Sequence, residues 1–109
     1  MFKRKAQAYF KPGKMNKTES AYAQHLELLK KANEILWYEF EALKFKLADK
    51  TFYTPDFIVL NKDNVLEAHE VKGFWRDDAR VKIKVAANKF PVKFIAISKK
   101  KKAWEYEYF

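Results

Sequence analysis

Cysteine is absent from this chain of 109 residues. Its absence excludes disulfides, thiolate metal sites and cysteine nucleophiles, and leaves oxygen or histidine as the only protein ligands for a metal. Histidine occurs only twice, as His25 and His69. Two isolated imidazoles make neither a zinc site nor a case for histidine base catalysis. The basic N-terminus is not followed by a long apolar run, so neither a signal peptide nor a membrane span is expected. With no redox signal either, the expected compartment is the cytoplasm. Glycine and proline are scarce, with 2 and 3 copies. They fall where the pattern breaks: Pro12-Gly13, Pro55, Gly73 and Pro91.

What is present is apolar and basic. Hydrophobic residues make up 49% of the chain, including 10 Phe, 6 Tyr and 3 Trp, enough for one domain with a core of its own. The net charge of +9 is unevenly placed. Residues 1–17 carry six Lys/Arg and no acid, and Lys99 to Lys102 add four more. The rest of the chain is close to neutral. Basic segments set apart from the body suit a polyanion backbone, and nucleic acid is the expected partner. The plainer alternative is a solvated basic surface with a disordered start.

Residues 1–15 read as a basic flexible arm, and 16–109 as a single domain. A helix is expected from Asn16 to Thr18, where Asn or Thr can cap, to about Asn33, with Ala21, Tyr22, Leu26, Leu29 and Ala32 at helical spacing. The stretch from Ile35 to Leu47 follows, and its alternation at Leu43, Phe45 and Leu47 reads as a half-buried strand. A second strand spans Thr51 to Leu60, interrupted at Pro55, which cannot donate to a ladder. After a polar turn at Asn61 to Asn64 comes a third strand, Val65 to Lys72, ended by Gly73. Asp77 or Asp78 caps a second helix to about Asn88 with Val81, Val85 and Ala86 on its inner face. A fourth strand, Val92 to Ser98, and an alternating tail at Trp104, Tyr106 and Tyr108 complete the chain. The fold class is α/β, a central mixed sheet flanked by helices.

The chemistry concentrates in two short segments. Asp56 leaves the proline-broken strand, with Thr54 pushed to extended geometry by the ring that follows it. Fourteen residues later Glu70 and Lys72 lie two apart on a strand, hence on one face. A paired neighbour can bring Asp56 beside them. Two hard carboxylates and an ammonium on one patch are the minimum equipment for holding Mg²⁺ or Mn²⁺ and hydrolysing a phosphodiester. Lys72 can position or help deprotonate a water, or neutralise charge on the phosphorus. A lone Pro-Asp pair is more often a turn cap, and Glu70 can simply lie on a surface face, since Glu67 and His69, on the opposite face, show that this strand tolerates polar groups. Glu19, in the first helical turn, either answers the helix dipole or adds a third carboxylate for one or two ions. Arg76, Arg80, Lys82 and Lys84 follow the Lys72 strand directly. They can reach phosphate or form a solvated helix face. Lys3, Arg4, Lys5, Lys14 and Lys17 are the arm's candidates for the same contact.

The segments Tyr53-Thr54-Pro55-Asp56-Phe57 and Glu70-Val71-Lys72-Gly73-Phe74-Trp75, with Asp77-Asp78 after them, resemble the PD-(D/E)xK nuclease superfamily. The nearest likeness is to phage endonucleases that resolve Holliday junctions and to small phage and prophage proteins with the same core. Asn16-Lys17-Thr18-Glu19, opening a helix, resembles the start of that core. The resemblance spans about Asn16 to Ser98. It implies a restriction-endonuclease-like core with Asp56, Glu70 and Glu19 as metal ligands and Lys72 as the catalytic lysine. It also implies Mg²⁺-dependent cleavage by an activated water, leaving 5′-phosphate and 3′-hydroxyl ends, with no organic cofactor. Junction-resolving members act as dimers, so a homodimer on branched or duplex DNA in a bacterial host cell is the corresponding expectation. No helix-turn-helix or zinc module is visible, and phosphate contacts read shape rather than sequence.

Overall fold

A computed structural model of the chain describes residues 13–73 and 77–109, without the side chain of Asp77. The arm expected at 1–15 therefore lies almost wholly outside the described residues, as do Lys3, Arg4, Lys5, Phe74, Trp75 and Arg76. The elements are α1 (Lys17–Lys31), β1 (Ile35–Phe40), β2 (Phe45–Ala48), β3 (Thr51–Tyr53), β4 (Phe57–Asn61), β5 (Leu66–Val71), α2 (Asp77–Lys89), β6 (Lys93–Lys100) and β7 (Ala103–Tyr108). Five strands form one mixed sheet in the order β1-β4-β5-β6-β7, while β2 and β3 form a separate hairpin. Only β5 and β6 run parallel, joined by the α2 crossover, as parallel neighbours require. The other pairs are antiparallel.

α1 begins where Asn16 caps it. Asn16 Oδ1 accepts from Glu19 N at 2.8 Å and Glu19 Oε1 accepts from Asn16 N at 2.9 Å, a reciprocal capping box. Glu19 in the first turn and Lys30 and Lys31 in the last complement the helix dipole. Tyr22 and Leu26 face inward and pack with Ile35, Phe57, Val59, Val71, Ile95 and Ile97 on one face of the sheet. On the opposite face α2 and the β2–β3 hairpin share a second core. Phe45, Leu47 and Tyr53 of the hairpin meet Ile83 and Ala86 of the helix over Ile58, Ala68, Phe94 and Ala96.

Two apolar runs that read as single strands are each divided. Ile35 to Leu47 breaks into β1 and β2 at Glu41, which takes a positive φ of 49°. Thr51 to Leu60 breaks at the buried Pro55 into β3, in the hairpin, and β4, in the main sheet. The inner face of α2 also differs from expectation. Ile83 and Ala86 are fully buried, whereas Val81 and Val85 are 57% and 40% exposed. The small hairpin covers only part of the helix, so these valines line a shallow apolar groove with Leu47 and Ala48. β6 runs to Lys100, two residues past Ser98, because β7 pairs with it as far as the turn. Among the described residues no helix is long and apolar enough to cross a membrane.

Candidate active site

Antiparallel pairing of β4 with β5 places Phe57 opposite His69, so Asp56 emerges where β5 is about to end. The ladder stops there, which would leave the Val71 amide without a strand partner; Asp56 Oδ2 accepts from it at 2.8 Å. The Asp56 carbonyl is engaged too, accepting from Glu41 N at 2.8 Å at the end of β1. Backbone and side chain are thus both held, and the carboxylate has one orientation. The proline does what its chemistry suggests: it ends the hairpin strand and re-aims Asp56 out of regular pairing.

Glu70 projects toward the hairpin face and is only 7% exposed. Its two oxygens have separate partners. Oε1 accepts from the Tyr53 hydroxyl at 2.8 Å, and Oε2 lies 2.9 Å from Lys72 Nζ. The i, i+2 spacing therefore places the carboxylate and the ammonium in contact, as expected. Burial, then the Glu70 charge, push Asp56 up to about 8; the Val71 N–H opposes the shift and Glu19 adds to it by charge and by a side-chain hydrogen bond. Burial alone would lower Lys72, but its hydrogen bond to Glu70 and the charges of Glu70, Asp56 and Glu19 outweigh it and hold the ammonium above its ordinary value. Lys72 is therefore held as an ammonium beside Glu70. Burial and the neighbouring Glu70 raise Tyr53, which stays a hydrogen-bond donor.

Glu19 takes the helix-start role and also lies near Asp56. One oxygen closes the capping box, and the carboxylate still bears on Asp56. The α1 N-terminus thus delivers an acid to the mouth of the site in a fixed rotamer. An open cleft of about 500 Å³ lies over this point, lined by Asn16, Thr18, Glu19, Lys72, Gly73 and Asp78, among others.

Asp56 and Glu70 supply hard oxygen donors. Among the described residues no group of three or more His, Cys, Asp or Glu is gathered closely enough to hold an ion outright. A hard divalent cation of the Mg²⁺ type takes one or two carboxylates and otherwise keeps its waters or substrate phosphate. Burial first, and then the neighbouring Glu70 charge, raise the Asp56 carboxyl, a position that added positive charge would relieve. On donor chemistry the residues fit such an ion.

The basic candidates are not all brought here. Lys14 and Lys17 are exposed around the start of α1, whose Asn16 and Thr18 line the cleft. Arg80 pairs with Glu107 at 2.6 Å. Lys82 edges the apolar groove beside the hairpin, and Lys84 lines a small hollow with Asn88 and Phe109. The helix thus divides its cations between two flanks.

His69 is buried rather than solvated. Its Nδ1 lies 2.7 Å from the Tyr22 hydroxyl and its Nε2 2.8 Å from Glu67 Oε1, so both ring nitrogens are engaged on the α1 face. Glu67 also accepts from Asn61 Nδ2 at 2.9 Å. The face opposite Glu70 is therefore a closed polar network, not a solvent-facing surface. Sequence reasoning did not single out Tyr53 as a site residue. It belongs to a different sheet from Glu70, and the only signal was a hydroxyl three residues before Asp56.

No protein-family model matches this chain, no curated protein matches it, and no solved structure matches it.

Proposed function

We propose that the chain is a metal-dependent DNA endonuclease with a restriction-endonuclease-like core, acting on branched DNA. The observation that carries this reading is the convergence of Asp56, Glu70 and Lys72 at one end of the sheet. Asp56 is fixed by the Val71 amide, and Lys72 is held 2.9 Å from Glu70. Buried acids with a cation beside them at an open cleft are costly for stability alone. A site that only binds DNA has no use for carboxylates facing phosphates.

Asp56 and Glu70, with Glu19 at the rim, would hold the ion. Bound Mg²⁺ or Mn²⁺ would polarise the phosphoryl oxygens and lower the pKa of a water. The chain's own residues do the rest. Tyr53 fixes the Glu70 carboxylate, and the Val71 amide fixes Asp56. Lys72, protonated, pairs with a non-bridging phosphate oxygen and meets the charge that grows there in the transition state. A water oxygen would bond to phosphorus, giving its proton to solvent, as the bond to the 3′ oxygen breaks and that oxygen takes a proton from solvent, leaving 5′-phosphate and 3′-hydroxyl ends.

Branched DNA is the favoured substrate because the basic segments address backbone and, among the described residues, no element is built to read base edges. Cutting two opposed strands requires two copies, so a homodimer belongs to the same proposal. The test is a labelled four-way junction, matched duplex and single strand, each with Mg²⁺, Mn²⁺ or EDTA. Paired symmetric cuts in the junction, lost in EDTA, are expected. Metal-dependent cutting with no junction preference would reassign the enzyme to general processing or nicking. Binding without cutting in any metal would refute the catalytic reading in favour of a DNA-binding protein.

A further inference from the structure

The sequence marks Lys99–Lys102 as a basic segment suited to a polyanion backbone, but gives none of its residues a place relative to the site. The structure gives it a position. β5 pairs with β6 as far as Val71 opposite Ile97, and Lys72 N bonds to the Ile97 carbonyl at 2.8 Å. β6 then continues three residues further, to Lys100, with β7 alongside. At about 3.3 Å per residue the β6–β7 hairpin overhangs the active-site end of the sheet by roughly 10 Å. Its turn is Lys101-Lys102, and Lys101 takes a positive φ of 55°.

A second hollow, of about 330 Å³, joins this overhang to the site. It is lined by Lys72, Gly73, Ser98, Lys100 and Glu105, among others. Lys72 and Gly73 also line the cleft on the α1 side. They line both hollows, and a side chain added at Gly73 would meet nothing within 4 Å among the described residues. A phosphodiester strand can therefore cross at Lys72 with its backbone continuing on either side. On the β6–β7 side Lys100 lines the hollow, together with Glu105 and Glu107, the second of which is paired with Arg80. In the free chain Lys100 lies 3.7 Å from Glu105, with both side chains more than half exposed, at 72% and 55%. Such a pair is weak and exchanges readily. Lys99 is committed elsewhere, 4.9 Å from the centre of the Trp104 ring.

We propose that the β6–β7 hairpin is a phosphate-backbone clamp: Lys100, leaving Glu105, with Lys101 and Lys102 at the tip, holds the DNA strand on one side of the scissile phosphate. The overhang of roughly 10 Å matches about three phosphate steps along a duplex axis at about 3.4 Å per step. Glu105 acts as the internal competitor that phosphate displaces.

The inference rests on the nuclease reading, and its test separates the two. Binding of the full chain to a labelled DNA duplex is measured in EDTA across a salt series. Lys100→Gln/Lys101→Gln/Lys102→Gln should weaken binding and reduce the slope of log K against log salt by about two to three, at about 0.9 per phosphate contact. The control, Lys30→Gln/Lys31→Gln/Lys62→Gln, removes the same charge at the far end of the sheet and should leave the slope unchanged. Glu105→Gln should tighten binding by releasing Lys100. Equal slopes for wild type and the hairpin variant, or an equal loss in the control, would overturn the clamp. If those slopes come with intact Mg²⁺-dependent cutting, the nuclease reading survives. A slope lost only in the hairpin variant, together with no cutting by wild type in any metal, would uphold the clamp and overturn the nuclease.

Discussion

Tyr53→Phe is the sharpest probe of how the site is built. The substitution removes one oxygen and leaves a ring of the same shape in the same core position, 6.3 Å from the Phe94 ring. What is lost is the hydrogen bond of 2.8 Å to Glu70 Oε1. A hydrogen bond to a charged group contributes about 1.5–3 kcal/mol, and a buried acceptor left without its donor costs a similar amount. Tyr53 and Glu70 are 8% and 7% exposed, so water replaces little of it. The metal-free protein should therefore lose about 2 kcal/mol, read as a lower urea midpoint with unchanged slope, or a melting temperature down by about 8 °C. Glu70 is then oriented by Lys72 alone. Residues that orient a metal ligand typically change metal affinity or activity about 10–100-fold. The Mg²⁺ concentration for half-maximal cutting should rise by about tenfold or more, while the rate at saturating Mg²⁺ recovers much of the wild-type value. A double-mutant cycle with Glu70→Gln assigns the effect to the pair. A variant as stable as wild type with unchanged Mg²⁺ dependence would refute the claim that this hydroxyl holds Glu70.

The other predictions concern the scaffold. Glu67 is held below its ordinary value of 4.5, first by its hydrogen bond with His69. A depressed carboxyl contributes stability above its unfolded pKa and loses it as pH falls through the folded value. The gap in urea midpoint between wild type and Glu67→Gln should therefore be open at neutral pH and close below about pH 4.5; a gap that does not change with pH would contradict the pairing. Ile83→Ala should cost about 2–5 kcal/mol and Val81→Ala well under half of that, since only Ile83 is enclosed. Equal losses in chemical denaturation would contradict the inner face described for α2. Asn16→Ala should cost about 0.5–2 kcal/mol through the lost cap. The bond from the Asn16 backbone amide to Glu19 Oε1 survives this substitution, so Glu19→Gln is the variant that tests the acid: it should slow cutting, and unimpaired cutting would remove Glu19 from the site.

What the sequence disclosed depended on whether the determining physics was local. The pair Glu70 and Lys72 was legible because strand periodicity alone puts them on one face, and Asp56 because Pro55 marks its departure from the ladder. The Asn16 cap was legible as a side chain able to satisfy an amide next to it in sequence. Tyr53 was hidden because its partner is in another sheet, and pairing across sheets leaves no mark in either segment. The division of Ile35 to Leu47 was hidden for a different reason. It occurs at Glu41, a residue with no special preference for the left-handed backbone, which is held there by the bond from its amide to the Asp56 carbonyl. Ile83 was overlooked in favour of Val81 and Val85 because all three are apolar at plausible positions. Only the small size of the β2–β3 hairpin decides which of them is covered. Glu67 and His69 read as a polar outer face. They are enclosed because Tyr22 and Asn61 supply the hydrogen bonds that make burial affordable.

The central claim is that Asp56, Glu70 and Lys72 form one phosphodiester-cleaving site, and single-turnover cleavage with binding measured in parallel tests it most directly. Wild type, Asp56→Asn, Glu70→Gln and Lys72→Ala are compared on the same labelled junction with saturating Mg²⁺, and affinity is read in EDTA. The account predicts cleavage slowed by at least about a hundredfold in all three variants. Asp56→Asn and Glu70→Gln should bind as tightly as wild type or more tightly, since each removes negative charge beside phosphate. Full-rate cleavage by Glu70→Gln or Asp56→Asn would contradict it.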